Sequence, residues 1–205
     1  MSKHAAFWDK AAKKYAADPI ADMAGYEHTR DRIRALLTPE HAVLELGCGT
    51  GSTAFELADC VASYRATDFS SAMIDIAKSK QDANTPKHLS FAVQDAETLG
   101  QDQYDVILAM NLLHLLPSLE DVLDDVFAAL PRGGLFIAKT ALLKDGAWFI
   151  PWIIPVMRAI GKAPYVRSLR QTELTQMITK AGFVLDETSL QDGMAPRLFT
   201  VARKP

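Results

Sequence analysis

Short apolar runs alternate with helical stretches along most of this 205-residue chain. The strand-like runs are residues 42–46, 62–67, 89–93, 104–110 and 134–139, and the helical stretches between them are 52–59, 71–81 and 118–130. Because parallel strands need a crossover connection, this alternation is typical of βαβ units and a mostly parallel sheet. Two further runs, 183–189 and 197–203, flank a turn-rich QDGMAP segment, which predicts an antiparallel hairpin at the sheet edge. The pattern therefore predicts an α/β fold with seven strands.

Charge and composition exclude several classes of protein. Residues 41–140 contain 14 acidic and 6 basic side chains, an acidic centre that argues against nucleic-acid binding. Pro151 and Pro155 interrupt the longest apolar stretch, so we expect no membrane-spanning helix. Cys48 and Cys60 show no C-x-x-C pairing and no secretory start precedes them, which favours a reducing cytoplasm. The histidines lack the spacing of metal ligands, so we expect no metal.

A glycine-rich loop follows the first predicted strand. Gly47, Gly49 and Gly51 read G-x-G-x-G, and glycine permits both a positive φ and the close approach of a ligand. A helix that begins near Gly51 would direct free N–H groups toward an anionic group of that ligand. Dinucleotide sites usually read G-x-G-x-x-G instead. The acidic Glu45 before the loop suits the amino-acid moiety of a ligand better than a pyrophosphate. The alternative is that the three glycines only form a tight turn and bind no ligand.

Two carboxylates end successive predicted strands. Asp68 follows the second strand and can accept hydrogen bonds from both hydroxyls of a ribose. Its alternative role is the N-cap of the next helix, although Ser70 is better placed for that. Asp95 follows the third strand, where its carboxylate and the Ala96 N–H can bind an adenine edge, or it is a solvated loop residue. Met73 can pack on the adenine face or belong to the core.

In these motifs the chain resembles the class I S-adenosylmethionine-dependent methyltransferases, closest in style to the small-molecule enzymes of ubiquinone and menaquinone biosynthesis. The resemblance covers residues 1–140 and, by pattern only, the final hairpin. It implies a Rossmann-like sheet ordered 3-2-1-4-5-7-6 with the last strand antiparallel, helices on both faces, and S-adenosylmethionine over the carboxyl ends of strands one to four. We expect a single domain over residues 1–205, divided into an N-terminal helical cap (1–40), a cofactor-binding core (41–140), a lid insertion (141–170) and a last helix with the edge hairpin (171–205).

The resemblance also assigns cofactor-binding residues. Met110 and Asn111, at the end of the fourth strand, would border the methionine part of the cofactor. The full predicted set is Glu45, Gly47, Cys48, Gly49, Gly51, Asp68, Phe69, Met73, Asp95, Ala96, Met110 and Asn111. Methyl transfer needs alignment more than a dedicated catalytic group. His114 is the candidate catalytic base for an acceptor hydroxyl, because an unperturbed imidazole has a pKa near 6.5. The alternative is a histidine packed at the start of a helix.

The acceptor pocket is expected between the N-terminal helices and the segment after the fifth strand. Tyr15 and Tyr26 can close over the cofactor or simply pack on the sheet. Trp148 and Trp152 lie in an apolar segment, residues 145–164, whose basic rim is formed by Lys144, Arg158, Lys162, Arg167 and Arg170. Such a segment suits a lid over an apolar acceptor with negative charge, a peripheral contact with a membrane or a second subunit, or a part of the core.

Three functions remain open from the sequence. The favoured one is methyl transfer from S-adenosylmethionine to a small acceptor, an apolar or lipid-like molecule in the version that the insertion favours. A nicotinamide-dependent oxidoreductase is disfavoured, because the third glycine comes one residue early and Asp95 would have no role. A protein that binds S-adenosylmethionine without catalysis is the third.

Overall fold

A seven-stranded sheet forms the centre of the computed structural model, which describes residues 3–100, 102–147, 149, 157–158 and 163–205. The strands are β1 (Ala42–Leu46), β2 (Ser63–Asp68), β3 (Leu89–Val93), β4 (Val106–Met110), β5 (Leu135–Ala141), β6 (Val184–Gln191) and β7 (Arg197–Arg203). The α-helices with stated bounds are α1 (Lys3–Ala17), α2 (Met23–Arg34), α3 (Ser52–Leu57), α4 (Ser71–Ser79), α5 (Leu119–Ala129) and α6 (Gln171–Lys180). Short 3-10 turns cover Ala58–Cys60 and Leu113–Leu115.

The strand order is β3-β2-β1-β4-β5-β7-β6, which confirms the predicted order. Strands β1 to β5 pair in parallel, and β7 runs antiparallel to both of its neighbours. The boundaries differ from the prediction by one or two residues at most elements. The fourth strand begins at Val106 rather than at residue 104, and just before it the Asp105 carboxylate accepts a hydrogen bond of 2.8 Å from the Ala42 N–H.

Helices cover both faces of the sheet, because alternate residues of each buried strand point to opposite sides. On one face, Phe136 and Ile107 pack against α5 and α6 through Leu123 and Ile178. On the other face, the packing partners come from α2, α3 and α4. They include Ile33, Leu57 and Ile74, which meet Val43, Leu108 and Ile137 of the sheet. Both faces of β1, β4 and β5 are therefore covered by apolar core.

The carboxyl ends of β1 to β5 meet at one edge of the sheet, and the order reverses between β1 and β4 there. In open α/β sheets, ligands bind at such a switch point. Helix α1 lies over this edge because Asp9 accepts hydrogen bonds from the Ser70 hydroxyl at 2.6 Å and the Ala72 N–H at 3.2 Å. Asp9 thus joins α1 to the first turn of α4.

Within the described residues, no helix has the length and apolar content that a bilayer crossing would need. Over the same ranges, histidine, cysteine and carboxylate side chains form no group that could hold a metal ion. The cytoplasmic location stays a prediction from the sequence.

Candidate active site

A cavity of about 830 Å³ opens at the carboxyl edge of the parallel strands. Its size lies within the range of about 300–1,000 Å³ that is typical of small-molecule sites. The predicted site residues that line it are Tyr15, Tyr26, Glu45, Gly47, Cys48, Gly49, Asp68, Phe69, Met73, Asp95, Ala96, Met110, Asn111 and His114. The fold therefore brings together residues that the sequence distributes over almost 100 positions.

The loop after β1 needs its glycines for two different reasons. Gly49 lines the cavity with a φ of 55°, a conformation that side chains with a Cβ rarely adopt, and its nearest neighbour is the Tyr15 ring. Gly51 lies beneath the loop, where a Cβ would come within 2.7 Å of Cε1 of Phe91. It is also the N-cap of α3. Gly49 thus faces the cavity, and Gly51 belongs to the packing under the loop.

Asp68 is held by two backbone groups at the end of β2. Its Oδ2 accepts from the Gly49 N–H at 3.0 Å and its Oδ1 from the Ser70 N–H at 2.9 Å. Burial raises the pKa of the Asp68 carboxyl, and these two hydrogen bonds lower it in part. A carboxylate has about four acceptor positions, so two remain for a ligand. The N-cap of α4 is Ser70, whose hydroxyl accepts from the Met73 N–H.

Glu45 is the most deeply buried acid of the site. Its Oε2 accepts a hydrogen bond of 3.0 Å from the Tyr64 hydroxyl. Burial and the nearby Asp68 carboxylate raise the pKa of Glu45 to about 7, although the Tyr64 hydrogen bond acts in the opposite direction. A cationic ligand group beside Glu45 would therefore favour its ionised form.

Asp95 and Asn111 occupy the loops after β3 and β4, two strands that are separated in the sheet by β2 and β1. The Asp95 carboxylate accepts from the Glu97 N–H at 3.1 Å, which orders the turn after β3 and leaves the buried Ala96 on the cavity wall. Asn111 has a φ of 55°, and its N–H donates to the Lys139 carbonyl at 2.7 Å. A positive φ in a residue other than glycine is uncommon and marks a backbone that its surroundings hold in place.

His114 lies in the 3-10 turn after β4, on the cavity wall. Its Nδ1 is buried and has no hydrogen-bond partner among the described residues. Burial, together with the charge of Arg197, lowers the pKa of His114 to about 4. The imidazole is therefore neutral at pH 7 but is a weaker base than the sequence-based argument assumed. A role in proton transfer stays a prediction.

The predicted acceptor residues fall into two groups. Tyr15 and Tyr26 line the cavity, and the pKa of the Tyr15 hydroxyl is raised by burial and by the carboxylates of Asp68 and Glu45. Trp148 and Trp152 lie outside the described residues, as do 12 of the 20 residues of the segment 145–164.

Both flanks of that predicted lid are fixed to the core. The Asp145 carboxylate accepts from the Gln171 N–H at 2.7 Å, and the Arg167 N–H donates to the His114 carbonyl at 2.7 Å. Of the predicted basic rim, Lys144 pairs with Glu173 and Arg167 pairs with Glu120. The positive charge at those two positions is therefore compensated by neighbouring helices rather than left for a ligand.

Sequence reasoning missed the basic residues on the β5 and β7 side of the cavity. Lys139 is only 8% exposed, and its Nζ donates to the Gly25 carbonyl at 3.1 Å and to the Thr29 hydroxyl at 2.9 Å. Arg197 lines the same wall from the first residue of β7. The signal for Lys139 was present in the sequence, since a single charge interrupts the apolar strand LFIAKTA.

Comparison with known proteins agrees with this geometry. Residues 43–134, from β1 to the turn before β5, match the model of a family described as a methyltransferase domain. Over these residues, a little under half of its length, the chain is similar to a methyltransferase domain. The strand order confirms the predicted Rossmann-like fold, and the family match supports the predicted resemblance to methyltransferases.

Individual relatives of this methyltransferase domain are distant. A ubiquinone biosynthesis O-methyltransferase from Coxiella burnetii is 29% identical over 159 residues, which is 72% of this chain and 66% of that enzyme. The chain covers only 4% and 7% of two other curated relatives. Among solved structures, magnesium protoporphyrin IX methyltransferase from Synechocystis, with bound SAM, is 19% identical with a TM-score of 0.67. That match covers 89% of this chain and 81% of the Synechocystis chain.

Another matching structure is described as the [4+2]-cyclase SpnF. It is 16% identical, has a TM-score of 0.70, and the match covers 85% of this chain and 80% of that one. The fold of a methyltransferase domain is thus also found in a protein named for another reaction, and fold alone does not define the activity. The oxidoreductase alternative gains no support from these relatives.

Proposed function

We propose that this chain binds S-adenosylmethionine and transfers its methyl group to a small acceptor with a largely apolar body. The strongest support is the position of buried Asp68, which shares one cavity with the Gly49 loop, Asp95 and Asn111. These residues belong to four different strand ends. A common cavity at a topological switch point is the arrangement expected for an adenosine-containing ligand.

The residues present fit the cofactor. Asp68 keeps two acceptor positions free for ribose hydroxyls, and Asp95 with the Ala96 N–H lies one strand further along for the adenine. Bound S-adenosylmethionine would supply a methyl group on a sulfonium sulfur: the acceptor atom would bond to the methyl carbon as the carbon–sulfur bond breaks and leaves a thioether, and the acceptor's proton would pass to solvent. The chain's own contribution is alignment and exclusion of water, so no catalytic base is required.

The charge of the cavity separates this cofactor from a dinucleotide. The carboxylates on its wall are Asp18, Asp22, Glu45, Asp68, Asp95 and Glu97. S-adenosylmethionine has a sulfonium and an ammonium against one carboxylate, so its net charge is positive. A pyrophosphate would instead add two negative charges beside Glu45 and Asp68, where like charges repel.

We place the acceptor on the β4 and β5 side of the cavity. Leu112, Leu115, Ala141, Leu143, Pro164 and Val166 line that wall. Residues 145–164 would cover it as a lid, and a peripheral contact of that segment with a membrane is the alternative use. The name of the Coxiella relative, a ubiquinone biosynthesis O-methyltransferase, supports a small-molecule acceptor.

Isothermal titration with S-adenosylmethionine, S-adenosylhomocysteine and NAD tests the cofactor. We expect binding of the first two in the micromolar class and none of NAD. NAD binding without binding of either methionine derivative would overturn the proposal.

A second experiment tests for catalysis, because a non-catalytic binding protein would give the same titration. The protein is incubated with labelled methyl donor and an unbiased metabolite extract, and we expect label in a small molecule. Retention of donor without label in any acceptor would favour the non-catalytic alternative.

A further inference from the structure

The β5 and β7 side of the cavity brings basic groups together from three parts of the chain. Lys139 stands opposite Phe199 and Ala141 stands opposite Arg197 in the antiparallel pair. Lys139 and Arg197 are therefore diagonal neighbours on the same face of the sheet, within reach of each other for long side chains. His114 joins them from the turn after β4.

Among the described residues, Lys139 and Arg197 have no acidic partner of their own, since none of the ion pairs there includes either of them. Asp22 is the nearby acid that acts on Lys139, but its Oδ1 accepts from the Gly25 N–H and its Oδ2 accepts from the Gln191 side chain. Burial and Arg197 lower the pKa of Lys139, and the same two causes lower the pKa of His114.

Two of these groups have unused hydrogen-bonding capacity. The Lys139 ammonium has three N–H donors, of which the Gly25 carbonyl and the Thr29 hydroxyl accept two. The buried Nδ1 of His114 has no partner among the described residues. Buried polar groups without partners are uncommon in native proteins, and a bound ligand is one group that can satisfy them. An anionic oxygen group is the ligand that suits two cations.

The cluster lies away from the proposed ribose position. Three inter-strand steps separate β2, which ends at Asp68, from β5, which contains Lys139. At 4.7–4.9 Å for each step, that distance is about 14 Å. The residues around the cluster are the apolar ones of the proposed acceptor wall, such as Ala141 and Leu143.

We propose that Lys139, Arg197 and His114 form a subsite for the carboxylate of an apolar acceptor. Lys139 donates to the carboxylate from the buried end of the subsite, and Arg197 adds charge at the rim. A neutral His114 donates or accepts according to its tautomer. This inference rests on the proposed function, because it names the chemical class of the acceptor in the same cavity.

Titration of matched probes tests the subsite. Octanoate and benzoate are compared with octanamide and benzamide, which keep the shape but lack the charge, both with and without saturating S-adenosylhomocysteine. We expect at least one acid to bind about tenfold more tightly than its amide. Equal affinity of both acids and their amides would overturn the subsite.

Variants assign the effect to particular residues. Lys139→Met should weaken binding of the acid about tenfold, and Arg197→Gln about threefold, since screening weakens exposed ion pairs. Arg203→Gln is the matched control, because it lies at the other end of β7, paired with Asp186. Binding of the amide and of S-adenosylhomocysteine should stay within about twofold. If Lys139→Met instead weakens S-adenosylhomocysteine binding, the lysine belongs to the cofactor site and the proposal is wrong.

Nuclear magnetic resonance of labelled histidine in the wild-type protein gives a readout that does not depend on a variant's folding. A bound carboxylate beside Arg197 should raise the pKa of His114, because it compensates the charge that lowers this pKa. Binding of the acid without any change at His114 would remove the histidine from the subsite. Failure of the proposed function can be told apart from failure of the subsite. In the first case the wild-type protein would bind no S-adenosylhomocysteine, and the titration with the acids would still show whether Lys139 and Arg197 bind a carboxylate.

Discussion

The two ends of one cavity differ in charge and in how the chain builds them. Over β1 to β3, the wall contains Glu45, Asp68 and Asp95, each within a few residues of a strand end. Over β5 and β7, it contains Lys139 and Arg197, which come from antiparallel partners far apart in sequence. An acidic end suits a cationic cofactor and a basic end suits an anionic acceptor. Under the proposed function, the cavity would separate its two ligands by charge as well as by position.

The sharpest test of the acidic end is Asp68→Ala. It removes the acceptor of two ribose hydroxyls, and we expect S-adenosylhomocysteine binding to weaken by about 2–4 kcal/mol, roughly 30- to 900-fold. Asp75→Ala is the matched control, because Asp75 is an exposed acid on α4. Titration calorimetry measures both, and circular dichroism checks the fold. Unchanged binding in folded Asp68→Ala protein would remove the cofactor from this end.

Glu45 makes a second prediction, through the pH dependence of stability. Its pKa is about 7 in the fold, above its value in the unfolded chain, so the folded state binds more protons between about pH 4.5 and 7. Glu45 therefore makes the ligand-free protein less stable as pH rises through that window, by up to about 3 kcal/mol. Denaturant unfolding of Glu45→Gln should lack this loss. If Glu45→Gln and the wild type have the same pH dependence of stability, the pKa of Glu45 is not raised in the folded protein.

His114 contributes with the opposite sign at the basic end. Its pKa of about 4 lies below the unfolded value near 6.5, so the unfolded state binds more protons between these pH values. This side chain therefore makes the protein more stable as pH rises from about 4 to 6.5, by up to about 3 kcal/mol. In the wild type the two slopes oppose each other where the windows overlap. In His114→Gln, only the pH dependence of stability that comes from Glu45 should remain. In Glu45→Gln, only the dependence that comes from His114 should remain. Two variants with the same slope would contradict the comparison.

The acidic end could be predicted from sequence, whereas at the basic end the sequence analysis named His114 and missed Lys139 and Arg197, for a physical reason. Glycine conformation and strand-end carboxylates act over short sequence distances, so residues 43–51 and Asp68 are readable from local patterns. Lys139 meets Thr29 only after α2 packs on the sheet, across 110 positions. Asp9 likewise reaches the start of α4 from α1. The alternation of apolar runs and helical stretches predicted the seven strands, and the resemblance to methyltransferases implied their order. Long-range polar contacts depend on packing that no local pattern specifies.

The smallest expected effect on the cofactor comes from the predicted lid. Trp148 and Trp152 lie outside the described residues, but the described flanks at Asp145 and Arg167 are joined to α6 and to the turn after β4, on the acceptor side. Replacing both tryptophans by alanine should therefore leave S-adenosylhomocysteine affinity within about threefold, which is less than about 0.7 kcal/mol. The same double variant should weaken octanoate binding or lower turnover with an identified acceptor, because the apolar cover of that end would be lost. If it instead unfolds or loses the cofactor, the segment is part of the core, and the acceptor must be sought between Tyr15 and Tyr26.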